Sequence, residues 1–195
     1  MREHVRALVL LRPVMMSERD NQAFLQESLQ VLVGLPLSIA RNAADTKVFH
    51  FGSIRPSLSA RGKSGTVGSH ALHIQCSWRI VTENGILTGS TDRFMEPEEG
   101  APVNVEDPQF GTLQFVRIAA LLQGYDEAKK SFVNATDHLI VQSVTCDRYC
   151  GADLQLSGGY RLQIFPDGSQ AEDWRFMENE GRHFVIEGGK VDVVG

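Results

Sequence analysis

Long hydrophobic runs are missing from this chain of 195 residues. No apolar stretch approaches the roughly 20 residues of a membrane-spanning helix. The run Ala7-Leu8-Val9-Leu10-Leu11 is stopped by Arg12 and Pro13. It is also short for a signal peptide and lacks a small-residue cleavage site, so it reads as a strand or short helix of the domain. Cysteine is scarce: Cys76, Cys146 and Cys150 cannot all pair within one chain. Such low, odd usage fits a reducing compartment, and a cytoplasmic location is expected. Basic residues are in deficit, 19 against 24 acidic for a net charge of -5, which speaks against a dedicated nucleic-acid binder. The motifs G-x-S-x-G, H-E-x-x-H and G-x-G-x-x-G do not occur, so the common hydrolase, zinc-protease and dinucleotide signatures are excluded. Repeats and low-complexity tracts are absent too. What remains, 42% hydrophobic and 22% charged residues, is ordinary globular composition. The length suits a single domain over residues 1–195, with 1–16 peripheral.

Two helices are predicted. The first covers residues 18–33, with Ser17 as its cap and Asp20 near the positive end of the dipole. Phe24, Leu25, Ser28, Leu29 and Leu32 trace one stripe, and Gly34 with Pro36 ends it. The second covers 108–123, with Asp107 as cap, Pro108 at the first helical position and Gly124 as the stop. Its expected buried face is Leu113, Val116 and Ala120, widened by Phe115, Ala119 and Leu122. Strands are predicted over 37–43, 47–51, 70–81, 86–94, 138–146, 160–165, 173–177, 183–187 and 190–194. Over 70–81, Leu72, Ile74, Cys76, Trp78 and Ile80 alternate with His73, Gln75, Ser77 and Arg79, the period of a half-buried strand. Glu83-Asn84-Gly85 then makes a hairpin turn. Ser157-Gly158-Gly159 and Gly188-Gly189 mark further tight turns, and tight turns join antiparallel neighbours. The predicted fold class is α+β: a curved, mostly antiparallel sheet of about seven to nine strands, possible as one sheet or split in two, with two main helices covering one face.

Charge is segregated. Residues 46–82 hold Lys47, Arg55, Arg61, Lys63 and Arg79 and no acid, whereas residues 83–107 hold seven acids against Arg93 alone. Segregation of this kind sets partner choice and speeds encounter. The candidate partner-binding residues are therefore Arg55, Arg61, Lys63, His73, Gln75 and Arg79, with the acidic Glu96–Glu99 loop as the counterpart for a basic partner. Arg79 is expected to fork onto Asp92.

Other constellations carry less. Arg61-Gly62-Lys63-Ser64 resembles the end of a phosphate loop, but Ser57 stands where that pattern needs glycine. His70, His73 and Cys76 are metal-ligand types, to which Cys146 and Cys150 would add thiolates, yet on a strand His73 points away from the other two. Cys146 or Cys150 with His138 or His183 would be the thiol-enzyme arrangement.

Phe49-His50-Phe51-Gly52, the stretch from Ala71-Leu72-His73-Ile74-Gln75-Cys76 to Trp78-Arg79-Ile80, and Asp173-Trp174-Arg175-Phe176 together resemble a family of small bacterial proteins of unknown function. The likeness runs from about Leu29 onward. It implies a small cytoplasmic bacterial protein with this β-rich pattern and no catalytic residues. The expectation from the sequence is a non-enzymatic interaction protein, of immunity or accessory type, that masks a protein partner. A homodimer is one form of that; no nucleic acid, membrane, metal or cofactor is expected. The alternatives are a small-molecule-binding domain with a sheet–helix pocket lined by Phe49, Phe51, Trp78 and Trp174, and a thiol or metal-dependent enzyme.

Overall fold

The computed structural model describes residues 18–58, 62, 64–100, 111–135, 138–178 and 181–195. An eight-stranded sheet runs in the order β15 (Lys190–Val194), β14 (His183–Glu187), β13 (Glu172–Glu178), β5 (His70–Ile74), β2 (Thr46–Phe51), β1 (Leu37–Ala43), β9 (Ser131–Val133) and β8 (Tyr125–Asp126). A five-stranded sheet runs β10 (Val141–Cys146), β11 (Ala152–Leu156), β12 (Arg161–Phe165), β6 (Ser77–Thr82) and β7 (Gly85–Gly89). β3 (Arg55–Leu58) and β4 (Ser64–Val67) pair alone as a hairpin. Every pairing is antiparallel. With α1 (Glu18–Leu29) and α2 (Leu113–Leu122) the class is α+β.

The two sheets face each other across one core. From the larger sheet, Phe49, Phe51, Leu72, Ile74, Trp174, Phe176, Phe184 and Ile186 point inward; from the smaller, Trp78, Ile80, Leu154, Leu162 and Ile164 meet them. Trp78 packs edge-on to Phe49 with ring centroids 5.2 Å apart. Trp174 is fully buried and its indole N–H donates to the carbonyl of Cys150 at 3.0 Å. Burial of each such side chain is worth about 1.5–3 kcal/mol, so these inward rows hold the sheets together.

The predicted single strand over 70–81 is corrected. Its alternation is real, since Leu72, Ile74, Cys76, Trp78 and Ile80 are all buried. The chain nevertheless bends at Gln75-Cys76, whose N–H groups both donate to the carbonyl of Asp173 at 2.9 Å. One carbonyl thus takes two donors, and the stretch leaves the larger sheet for the smaller, as corners between crossed sheets are made. The hairpin at Glu83-Asn84 is present between β6 and β7. Its return strand stops at Gly89, and Ser90–Phe94 winds into a 3-10 turn instead of continuing.

The helices are placed differently from the expectation that they cover one face. α1 lies against β10 and β15, the terminal strands at one open side of the sandwich; α2 lies against β7, β9 and β1 at the other. Leu25, Leu29 and Leu32 enter the core as their stripe predicts. Gln22 and Gln26 donate to the carbonyls of Cys146 and Val144, and Gln26 Oε1 accepts from the Cys146 N–H at 2.7 Å. Gly34 adopts φ +86 and ends the run. The Ser17 cap lies outside the described residues, as do Asp107 and Pro108. α2 starts at Leu113, capped by Thr112, whose Oγ1 accepts from the Phe115 N–H at 3.2 Å. Its left-handed terminal residue is Gln123 (φ 64), not Gly124. The buried positions are Gln114, Ile118, Leu121 and Leu122, so the face is rotated from the predicted Leu113, Val116 and Ala120. A polar residue, Gln114, belongs to it, which an apolar stripe could not reveal.

Candidate functional site

β2 is an interior strand of the larger sheet, paired with β1 and β5, and five of its six residues are buried. Inward-facing positions are Lys47, Phe49 and Phe51. A lysine in that phase is out of place. Lys47 is 4% exposed. Its Nζ donates to Asn42 Oδ1 at 3.1 Å, from the residue paired with it on β1, and to Gln114 Oε1 at 3.4 Å, from the first turn of α2. The Gln114 amide cannot face the other way without losing its Nε2 bond to the Gly89 carbonyl, 2.9 Å. Three aromatic rings, Phe49, Trp78 and Phe132, surround the ammonium at 5.8, 5.9 and 5.5 Å from their centroids. This is within cation–π reach. No carboxylate forms an ion pair with Lys47 among the described residues.

Lys47 and Gln114 line a cleft of about 380 Å³, which opens beside the corner at Gln75-Cys76. Trp78 and Ile74 supply apolar wall, Asn42 and Gln114 supply amides, and Arg93 and Phe94 stand at the rim. Arg93 is tethered to Asp45 through both its carboxylate, at 3.2 Å, and its carbonyl, at 3.3 Å. Burial, and then the positive charge of Arg93, bring the Lys47 amine down to about 7 from its ordinary 10.5. A buried amine with no counter-ion among the described residues, at the floor of the cleft, is the pattern of a binding or reactive group.

Compared with family models, curated proteins and solved structures, the chain matches none.

Of the predicted partner-binding residues the structure describes Arg55, His73, Gln75 and Arg79, which come from different stretches of β3, β5, β6 and the corner between β5 and β6. Arg61 and Lys63 lie outside the described residues. Arg55 sits on the β3–β4 hairpin. His73 is on the outer side of the larger sheet, beside Arg175 across the β13 pairing. Arg79 is on the outer side of the smaller sheet, where its Nε donates to Gln163 Oε1 at 2.7 Å and its guanidinium covers Phe165. The expected contact with Asp92 is not made; Asp92 instead accepts from the Thr88 hydroxyl at 3.0 Å. Gln75 alone of the four described lines the cleft. Of the predicted pocket residues, Trp78 lines it and Phe49 lies beneath Lys47, whereas Phe51 and Trp174 are deep in the core.

His70, His73 and Cys76 do not converge. His70 stacks on Phe176 and bonds Ser69, His73 faces outward, and Cys76 faces the core. The thiols are buried and hard to ionise. Burial, with Asp173 and Asp167 close by, pushes Cys76 up to about 12; burial and neighbouring groups push Cys146 to about 12 and Cys150 to about 11. Thiolate is the reactive form, so a disulfide reagent at neutral pH should label the three cysteines of the folded protein at least about 100-fold more slowly than after denaturation. Rapid stoichiometric labelling of the native protein would remove this reading of the thiols.

A second polar group sits beneath the outer side of the larger sheet. His50 is 2% exposed and neither ring nitrogen has a partner. Arg41 reaches past it to the Thr66 carbonyl, tying the β3–β4 hairpin down. Burial, then Arg41 and His73, drive His50 to about 3; burial, then Arg41 and Arg175, drive His73 to about 4.

Lys47, Asn42 and Gln114 went unselected in the sequence. The signal lay in β2 itself: Lys47-Val48-Phe49-His50-Phe51 is apolar on both faces apart from its lysine and histidine, and a lysine in phase with two inward phenylalanines has to be buried.

Proposed function

We propose that this protein is a binding domain for a small anionic molecule, taken up in the cleft with Lys47 as the positive charge at its floor. The observation that carries this reading is the buried Nζ, held by two amide oxygens and three aromatic faces without a carboxylate partner among the described residues. An uncompensated buried charge is costly. A ligand acid group relieves that cost, and Arg93 adds a second cation at the rim. Trp78 and Ile74 then offer apolar surface to the rest of the ligand.

The test is a thermal-shift and calorimetric screen of small carboxylates and phosphates near neutral pH. At least one should raise the melting temperature of the wild type and not of Lys47→Met, since a ligand of the native state stabilises by mass action. Binding should also draw in a proton, because an anion beside Nζ favours its charged form. A screen without hits, or hits that bind Lys47→Met equally well, would overturn the reading.

The first expectation from the sequence is a protein that masks a partner, with a small-molecule-binding domain as the alternative. Phe94 is 77% exposed and Met95 51%, beside the exposed acids Glu96, Glu98 and Glu99, and this acidic, partly apolar rim is the surface on which a basic partner would sit. Of the described residues of the basic set, His73 and Arg79 face outward from different sheets, so the cleft takes precedence.

A further inference from the structure

We propose that Lys47 is a nucleophile that forms an imine with the carbonyl carbon of a small oxo acid bound in the cleft. This rests on the anion-binding reading of the same cleft, names the ligand class, and for an oxo acid gives the acid group to Arg93 and the carbonyl to the neutral Lys47 amine. The geometry argues for it through the amine's hydrogens. A neutral amine has two N–H donors and one lone pair; Asn42 Oδ1 and Gln114 Oε1, at 3.1 and 3.4 Å, accept both donors. Gln114 is held by its bond to the Gly89 carbonyl, and Asn42, itself exposed, stands directly opposite Lys47 in the strand register. The lone pair therefore has no competing donor among the described residues. The charged form, by contrast, carries a third N–H that no described oxygen receives. The surrounding rings of Phe49, Trp78 and Phe132 keep water from the amine, and desolvation is the usual way a lysine is made nucleophilic at neutral pH. The depressed basicity of the amine, to about 7, agrees with this arrangement.

The acid group of the ligand has its own partner. A guanidinium has five N–H donors, and Arg93 spends one on the Asp45 carbonyl and one on its carboxylate, leaving others for a ligand at the rim. An oxo acid places its carbonyl inward at Lys47 and its carboxylate outward at Arg93. In the covalent step the Nζ lone pair forms a bond to the carbonyl carbon, and the carbonyl π pair moves to oxygen, which takes one of the two protons of the nitrogen. The resulting carbinolamine loses hydroxide, protonated to water, as nitrogen gives up its proton and the C=N bond forms. Amine and carbonyl go in; imine and one water come out, with no oxidant or reductant.

The probe is glyoxylate or pyruvate, incubated with the whole protein near neutral pH and trapped with borohydride, which delivers hydride to the imine carbon and makes the adduct permanent. Peptide mapping by mass spectrometry should place the adduct on Lys47 at least about tenfold above the exposed Lys129, Lys130 and Lys190 of the same sample. Binding is measured in parallel by calorimetry without borohydride. Adduct on Lys47 with this preference supports the proposal. Binding of the oxo acid without a Lys47 adduct overturns the imine and leaves the anion site standing. Adducts spread evenly over Lys47 and these three exposed lysines overturn it as well. Neither binding nor adduct overturns both readings for this ligand class. No variant is needed for the main result; Lys47→Met serves only to show that the assigned peptide loses its label.

Discussion

Lys47→Met should melt at a higher temperature than the wild type at neutral pH and lose that advantage as the pH climbs. The unfolded lysine keeps its proton to about 10.5, whereas burial makes the folded one release it at about 7. Between those values the unfolded chain carries more protons, so wild-type stability rises with pH across that window. Below it the full handicap is present, on the order of 5 kcal/mol at about 1.4 kcal/mol per pKa unit. Methionine has nearly the same length and no charge to desolvate. It leaves Asn42 Oδ1 and Gln114 Oε1 without a donor, which takes back about 1–2 kcal/mol. The net gain is roughly 3–4 kcal/mol, and each kcal/mol moves the midpoint of a chain of this size by about 2–4 °C. Calorimetry of both proteins from about pH 6 to about pH 10 reads the difference directly. A gap that stays constant over the range would mean that Lys47 carries the same charge folded and unfolded. The same comparison separates binding from stability: the variant that folds better is the one that should lose the ligand.

Acid should weaken the fold well before the carboxylates protonate. His50 and His73 titrate at about 3 and about 4 in the folded protein against an ordinary 6.5. The folded-state values are the lower ones, so stability falls as pH drops below 6.5 and continues to fall until each group is protonated in the native state too. At about pH 5 the two together remove roughly 3 kcal/mol, with the partly exposed His73 discounted for solvent screening. Arg41 and Arg175 oppose protonation of His73 while Glu172 favours it, and the arginines prevail. Urea midpoints at neutral pH and near pH 5 should show the loss. His50→Leu, which removes a buried ring with two unpartnered nitrogens, should recover about half of it. Proton NMR that finds either ring charged at pH 6 in the native state would contradict the account.

Local periodicity carried most of the fold. β1 occupies the predicted residues, β2, β14 and β15 agree within a residue, and the buried row from Leu72 to Ile80 is the predicted one. These follow from the alternation of side chains along a strand, which any one segment reveals by itself. The bend at Gln75-Cys76 did not show, because alternation continues straight through it. What makes the bend is the carbonyl of Asp173, nearly a hundred residues away. β11 (Ala152–Leu156) went unread because Asp153 and Gln155, its outward positions, are backed by Gly151 and Cys150, which look like loop. The start of α2 moved to Leu113 because Thr112 supplies a better cap than the proline upstream suggested. The candidate site was less legible still. Lys47, Asn42 and Gln114 come from a strand, its neighbour and a helix, and no spacing in a linear chain announces that convergence. Counting Lys47 as one charge in a basic stretch hid that it alone of the described cations there is almost wholly buried.

The glutamines of α1 have one more consequence. β10 is the outermost strand of its sheet, and an outermost strand presents backbone groups with no neighbour. Gln22 and Gln26 act as that neighbour, occupying carbonyls of Val144 and Cys146 and the amide of Cys146. A chain cut back past this helix would bare a growth face, on which copy could add to copy in a fibril, so the first helix guards solubility as well as filling the core.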